Sequence, residues 1–202
     1  MAVNTFIIYI FGILIFLLIA AIIKSESETH KWTDFFQQLA VETKLIYCQN
    51  ENGAYPYVAG NYFGRPTKLE FLNIGGFEGV LPTINLCITI QLQSAAHSSL
   101  EIKRRDFFLK GQTKMSKSTF HEKYVISSSS GEMLRKILET ENLTQKLTSI
   151  DFDNLTIEER ELKMSRQGKE TNIEFMCFCL RSLYHLATLA ESPLLPNKIA
   201  ES

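Results

Sequence analysis

The first 23 residues of this 202-residue chain carry no charged side chain. That absence excludes the basic start of a secretory signal peptide, which places Lys or Arg ahead of an apolar stretch of about 7–15 residues. No small-x-small cleavage site precedes the first charges at Lys24 and Glu26. The chain also lacks GxSxG, GxGxxG and a Walker loop, so no nucleophile elbow and no phosphate-cradling glycine turn is present. CxxC is missing as well. The four cysteines, Cys48, Cys87, Cys177 and Cys179, are spaced irregularly in a chain too large to need staples, and are read as reduced thiols. The formal net charge of −1 lacks the basic excess of a nucleic-acid binder, which disfavours a nucleic-acid partner.

What the uncharged start does contain is FIIYIFGILIFLLIAAII, from Phe6 to Ile23. A helix needs roughly 20 apolar residues to cross the hydrocarbon layer, with about 17 tolerated. Leu, Ile and Phe each favour insertion by roughly 0.3–0.6 kcal/mol at the helix centre. The run is apolar all round, so it is not an interfacial amphipathic helix. Residues 1–24 are therefore read as a single transmembrane anchor, 25–31 as a polar neck, 32–192 as one soluble domain and 193–202 as a flexible tail. Lys24 and Lys31 follow the anchor and no Lys or Arg precedes it, which places the domain on the cytoplasmic side. Reduced thiols agree with that side.

Composition allows the domain a core: 45% of the chain is apolar and 21% charged. Trp32, Phe35, Phe36, Leu39 and Ala40 recur at helical spacing, with Thr33 or Ser27 as candidate caps. Their aromatic stripe belongs either on the domain or at the lipid headgroups. Residues 55–73 read as two strands joined around Gly60-Asn61, with Pro56 and Pro66 pointing to edge positions. Thr83 to Gln93 is the cleanest strand, with Ile84, Leu86, Ile88, Ile90 and Leu92 on one side. Leu100–Leu109 and Thr119–Ser127 continue as strands.

Ser129-Ser130-Gly131-Glu132 has the form of a capping box before a short helix, and Asn142–Leu147 suggests another helical turn or two. Asn154–Arg166 reads as a hairpin. Thr171-Asn172-Ile173-Glu174 is a second capping box, opening a helix of about 20 residues that stops at Ser192-Pro193. Strands lie beside strands and helices at the ends, so the expected class is α+β: a mostly antiparallel sheet packed against a long C-terminal helix.

Each chemical motif has a bland competitor. Cys177 and Cys179 lie two apart on a helix, which points them about 200° apart and prevents a shared ion. Asp151-Phe-Asp153 begins like a calcium loop, but Thr156 and Leu162 stand where Gly and Glu are needed. His121-Glu122 lacks the second His of a zinc-protease motif. Ser127–Ser130 before Gly131 has the character of an anion-binding helix start, yet capping by Ser129 explains it with less. His30, His97 and His185 are isolated. No cofactor and no metal is expected.

One local asymmetry remains. Lys103, Arg104, Arg105, Lys110, Lys114 and Lys117 fall within fifteen residues, interleaved with Phe107 and Phe108 and opposed only by Asp106. Asp151, Asp153, Glu158, Glu159 and Glu161 form an acidic counterpart. The basic stretch is either a solvated strand and loop, paired in part with the acidic one, or a surface for anionic lipid or a partner. The functional expectation is a membrane-tethered, non-enzymatic binding or accessory domain, a candidate subunit of a larger membrane complex. The competing expectation is an enzyme acting on a lipid or membrane-near substrate through a pocket of dispersed residues.

Overall fold

The computed structural model describes residues 13, 15–18, 30–50, 55–74, 83–105, 120–140 and 142–192. Most of the expected anchor, part of the neck and the whole tail lie outside these residues. Within the anchor run, residues 13 and 15–18 are helical, and Ile13, Ile15, Phe16, Leu17 and Leu18 are exposed.

The period-2 segments form one eight-stranded sheet. Its strands are β1 (Ile46–Cys48), β2 (Tyr57–Tyr62), β3 (Arg65–Ile74), β4 (Thr83–Gln91), β5 (Leu100–Arg104), β6 (Tyr124–Ser128), β7 (Asn154–Glu158) and β8 (Glu161–Gln167). The spatial order is β1-β2-β3-β4-β8-β7-β5-β6, and every ladder is antiparallel. The helices are α1 (residues 30–43), α2 (Phe120–Lys123), α3 (Gly131–Glu139), α4 (Leu143–Ile150) and α5 (Ile173–Glu191). This is the α+β class expected from the segment order.

Register shows why alternation in the strands produces a core. Leu69, Ile88, Met164, Leu155 and Ile102 are successive partners across β3, β4, β8, β7 and β5, and all are fully buried. They line one face of the sheet, and α5 lies against it with Met176, Leu180, Leu183 and Leu186 buried. Trp32, Phe35 and Phe36 of α1 are buried in the same core. Phe36 and Phe71 stand 5.6 Å apart edge-on, and Trp32 and Phe71 5.1 Å apart. The aromatic stripe of α1 therefore rests on the domain, not on lipid headgroups. The opposite sheet face is polar, with a Lys68–Glu70 ion pair at 2.7 Å and Gln91 bonded to Glu161 at 3.0 Å. An antiparallel sheet tolerates water on one face in this way.

Among the described residues α5 is long and apolar enough to cross a membrane, with a mean hydropathy of 1.2. Its apolar character instead comes from the stripe packed into the core, with Met176, Cys179, Leu180, Leu183, Leu186 and Ala187 fully buried.

Several local expectations are corrected. The β2–β3 turn falls at Phe63-Gly64, closed by the Tyr62–Arg65 pair, and not at Gly60-Asn61. Both turn residues have positive φ, 49° and 82°, as a two-residue hairpin turn requires. Gly60 has another role inside β2: its φ of 148° is a backbone conformation that residues with a Cβ rarely adopt. Pro56 precedes β2 and Pro66 is the second residue of β3; both strands are interior, not edges. Pro66 sits one residue outside the β3–β4 ladder, which begins at Thr67, so its missing N–H removes no bond from it.

Neither capping box forms as expected. The Ser130 side chain makes no cap bond on α3. Ser129 Oγ accepts from the Ser99 N–H at 2.9 Å instead, tying the start of α3 to the loop before β5. The α5 cap lies one residue later than expected: Asn172 Oδ1 accepts from the Phe175 N–H at 2.9 Å. Glu170, not Glu174, supplies the carboxylate, accepting from the Thr171 and Asn172 N–H groups. Phe120–Lys123 is a helical turn where a strand was expected, with Phe120 buried against Tyr124. Of the expected strand Leu100–Leu109, β5 covers Leu100–Arg104, Arg105 is a bend and residues 106–109 lie outside the described residues; α4 runs to Ile150, beyond the expected Leu147.

Candidate functional site

The connections of the sheet divide unequally between its two ends. Cys48 pairs with Tyr57, Ile74 with Thr83, Asn85 with Gln167, Asn154 with Ser165 and Arg104 with Tyr124. These pairs all mark one end, so the connections 49–56, 75–82, 105–123 and 168–172 leave from it. The opposite end holds the tight turns Phe63-Gly64 and Glu159-Arg160, the connection 92–99 and the last turn of α5.

α1 begins at the loop-rich end, because Trp32 lies edge-on to Tyr55 at 5.6 Å and to Phe71 at 5.1 Å. Lys169 Nζ stands 5.5 Å from the Trp32 ring and 5.1 Å from the Tyr55 ring, close enough for the ring faces to attract its charge. The chain that follows the neck thus enters the domain beside these loops.

The expected basic site is reached in part. Lys103 is exposed on the polar sheet face, 2.7 Å from Glu101. Arg105 is exposed, and its Nε donates to the Tyr124 carbonyl at 3.3 Å. Arg104 is half-buried and turned onto the domain: Nη2 lies 2.6 Å from Asp151 Oδ1, and Nε 3.6 Å from Asp153 Oδ1. Lys123 pairs with the same Asp151 and donates to the Thr148 carbonyl at 3.3 Å. Phe107, Phe108, Lys110, Lys114 and Lys117 lie outside the described residues.

The two stems of the basic segment, Arg104 and Lys123, therefore converge on one carboxylate at the α4–β7 corner. Asp151 is the residue that sequence reading missed as their common partner. It sits at φ 57° in the left-handed region after α4, where Asp is among the better-tolerated residues. Burial disfavours its charge, but Lys123 and Arg104 outweigh that and hold its pKa below the usual carboxylate value.

A second feature lies on the outer side of the helix layer. A groove of about 710 Å³ runs between α1 and α5, bordered by Val41 and Glu42 on one side and Ile173, Glu174, Cys177 and Arg181 on the other. Val41 is 77% exposed, whereas Trp32, Phe35, Phe36, Leu39 and Ala40 of the same helix are buried. Arg181 folds back on its own helix, its Nε donating to the Cys177 carbonyl at 3.2 Å. Among the described residues neither Glu42 nor Glu174 joins an ion pair.

The thiols are placed for packing. Cys179 is fully buried, and desolvation pushes its pKa up to about 12; burial raises that of Cys177 as well. A protonated thiol is neither a nucleophile nor a metal ligand at neutral pH. Among the described residues no group of three or more His, Cys, Asp and Glu side chains is placed to hold a metal ion.

No family model matches the sequence, and no curated protein matches it. A solved structure shares the fold: the crystal structure of the mycobacterial trehalose monomycolate transport factor A, TtfA. The TM-score is 0.52 at 10% identity, over 82% of this chain and 98% of that one. At that identity the likeness shows a common fold: mixed α+β, with an antiparallel sheet and a C-terminal helix.

Proposed function

We propose that this chain is a membrane-tethered, non-enzymatic accessory domain, a subunit of a larger membrane complex, whose loop-rich end faces anionic lipid. Residues 1–24 are its single anchor, 25–31 its neck and 193–202 its tail, with the domain on the cytoplasmic side. The observation that carries the reading is the meeting of two features at one end of the sheet. The chain enters there through Trp32, and both stems of the basic segment, at Arg104 and Lys123, lie there. A neck of seven residues keeps that end close to the bilayer surface. TtfA, which shares the fold, is by name a transport factor for a mycolate lipid, and that supports an accessory role at a membrane.

Lys103, Arg105, Lys110, Lys114 and Lys117 are the lipid-facing charges in this reading. Arg104 is the fixed stem. Each basic residue near an anionic surface contributes about 1 kcal/mol. The domain lacking residues 1–24 is expected to sediment with vesicles containing phosphatidylserine and not with neutral vesicles. Replacing three of the five residues by Gln is expected to weaken binding about a hundredfold at low salt. A wild-type domain that stays in the supernatant with anionic vesicles at low salt would falsify the lipid-facing assignment.

A further inference from the structure

We infer that the groove between α1 and α5 is the docking site for a basic amphipathic helix of a partner subunit. This inference rests on the accessory-subunit reading and names the chemistry of the partner. Gln38, Val41 and Glu42 are spaced i, i+3, i+4 on α1, and Ile173, Cys177 and Arg181 are spaced i, i+4, i+8 on α5. The two stripes border the groove, with Val41, Ile173 and Cys177 as its apolar residues, as in a groove that takes a helix by its apolar face.

Charge decides what kind of helix. Two carboxylates, Glu42 and Glu174, line the groove without an ion-pair partner among the described residues, against one lining cation, Arg181, whose Nε donates to the Cys177 carbonyl. Lys or Arg flanking the apolar stripe of an incoming helix would meet both carboxylates. A second copy of this chain would instead bring the same two carboxylates face to face, and an anionic headgroup would meet them directly. Both are disfavoured by like-charge repulsion. Segments that flank the cytoplasmic ends of membrane helices are rich in Lys and Arg, which makes a membrane-complex subunit the natural source of such a helix.

The test uses the full chain in its native membranes with a benzophenone side chain placed at Val41. Irradiation is expected to link it to one other polypeptide through a segment carrying Lys or Arg beside an apolar stripe. The double variant Glu42→Gln, Glu174→Gln is expected to lower the adduct yield at least tenfold. Unchanged thermal melting of that variant shows that the fold is intact. Adducts with a second copy of this chain, with lipid alone or with a segment lacking basic residues overturn the inference, as does no adduct or one indifferent to the double variant. Vesicle binding separates the two readings. If only the groove assignment fails, the wild-type domain still binds anionic vesicles; if the membrane-facing reading fails, that binding is absent too.

Discussion

Arg65 and Glu191, 126 residues apart in sequence, form a two-pronged ion pair with both N–O distances 2.6 Å. The side chains are only 4% and 11% exposed. The Arg65 guanidinium lies 5.2 Å from the Tyr184 ring centre, and Glu191 also accepts the Gln93 and Ser94 backbone N–H groups. One carboxylate thus joins the end of α5, the β2–β3 turn and the loop after β4.

Removing one member of a buried pair leaves the other charge stranded, at a cost of about 3–5 kcal/mol. Glu191→Gln is expected to lower stability by about 3 kcal/mol. For a domain of this size that is a fall in Tm of about 6–12 °C, read by thermal melting followed by circular dichroism. The double variant Arg65→Met, Glu191→Leu is expected to recover most of the loss, because a well-packed apolar pair can match a buried ionic one. A single variant that melts with the wild type would show that the pair contributes nothing.

Acid should weaken the fold through the same carboxylate and through Asp151. Burial disfavours the charged form of each. Arg65 and the two amides at Glu191, and Lys123 and Arg104 at Asp151, outweigh it and hold both pKa values below the usual carboxylate range. A depressed folded-state pKa means that the stabilisation is complete above the unfolded value, about 4. It is then lost as pH falls through the folded value. Tm is therefore expected to be flat from about pH 7 to 5 and to drop below about pH 4. Asp151→Asn keeps a residue suited to φ 57° while removing the charge, so its Tm should fall less steeply in acid than that of the wild type. Parallel acid limbs for the two proteins would remove Asp151 from the account.

The strongly periodic segments were legible because their signal is local. Ile84 to Leu92 alternate every second residue, and the sheet buries that side; residues 30–43 and 173–191 repeat at helical spacing and are helices. The turns and caps were less legible, because tertiary partners override local chemistry. Gly60-Asn61 has the composition of a turn, yet Gly60 lies inside β2 at φ 148°, and Phe63 takes the left-handed position. Ser129 is a good cap by composition, but its oxygen is claimed by Ser99. Of the candidate site, a general pairing of the basic with the acidic stretch was weighed, centred on Glu158 and Glu159; the structure instead pairs Arg104 with Asp151 and Asp153. Lys123 at the same carboxylate was not foreseen, nor was the α1–α5 groove. Which helices share a wall is set by the sheet they cover, and spacing within one helix does not reveal it.

The last prediction concerns α5, whose length and mean hydropathy would also suit a membrane span. Its apolar stripe is committed to the sheet: Met176, Cys179, Leu180, Leu183, Leu186 and Ala187 are all fully buried. Arg181 lies near its middle, where a charge costs a bilayer span roughly 2.5–3.5 kcal/mol. Glu191, at its end, is bonded to Arg65 and to the loop after β4. Leaving the sheet for lipid would expose the core face and break that pair together. Deleting residues 1–24 is therefore expected to give a folded domain that stays in the supernatant after a high-salt wash of the membranes, with the circular dichroism of a mixed α+β protein. Retention of the truncated chain in the washed pellet would identify a second anchor and place α5 in the bilayer.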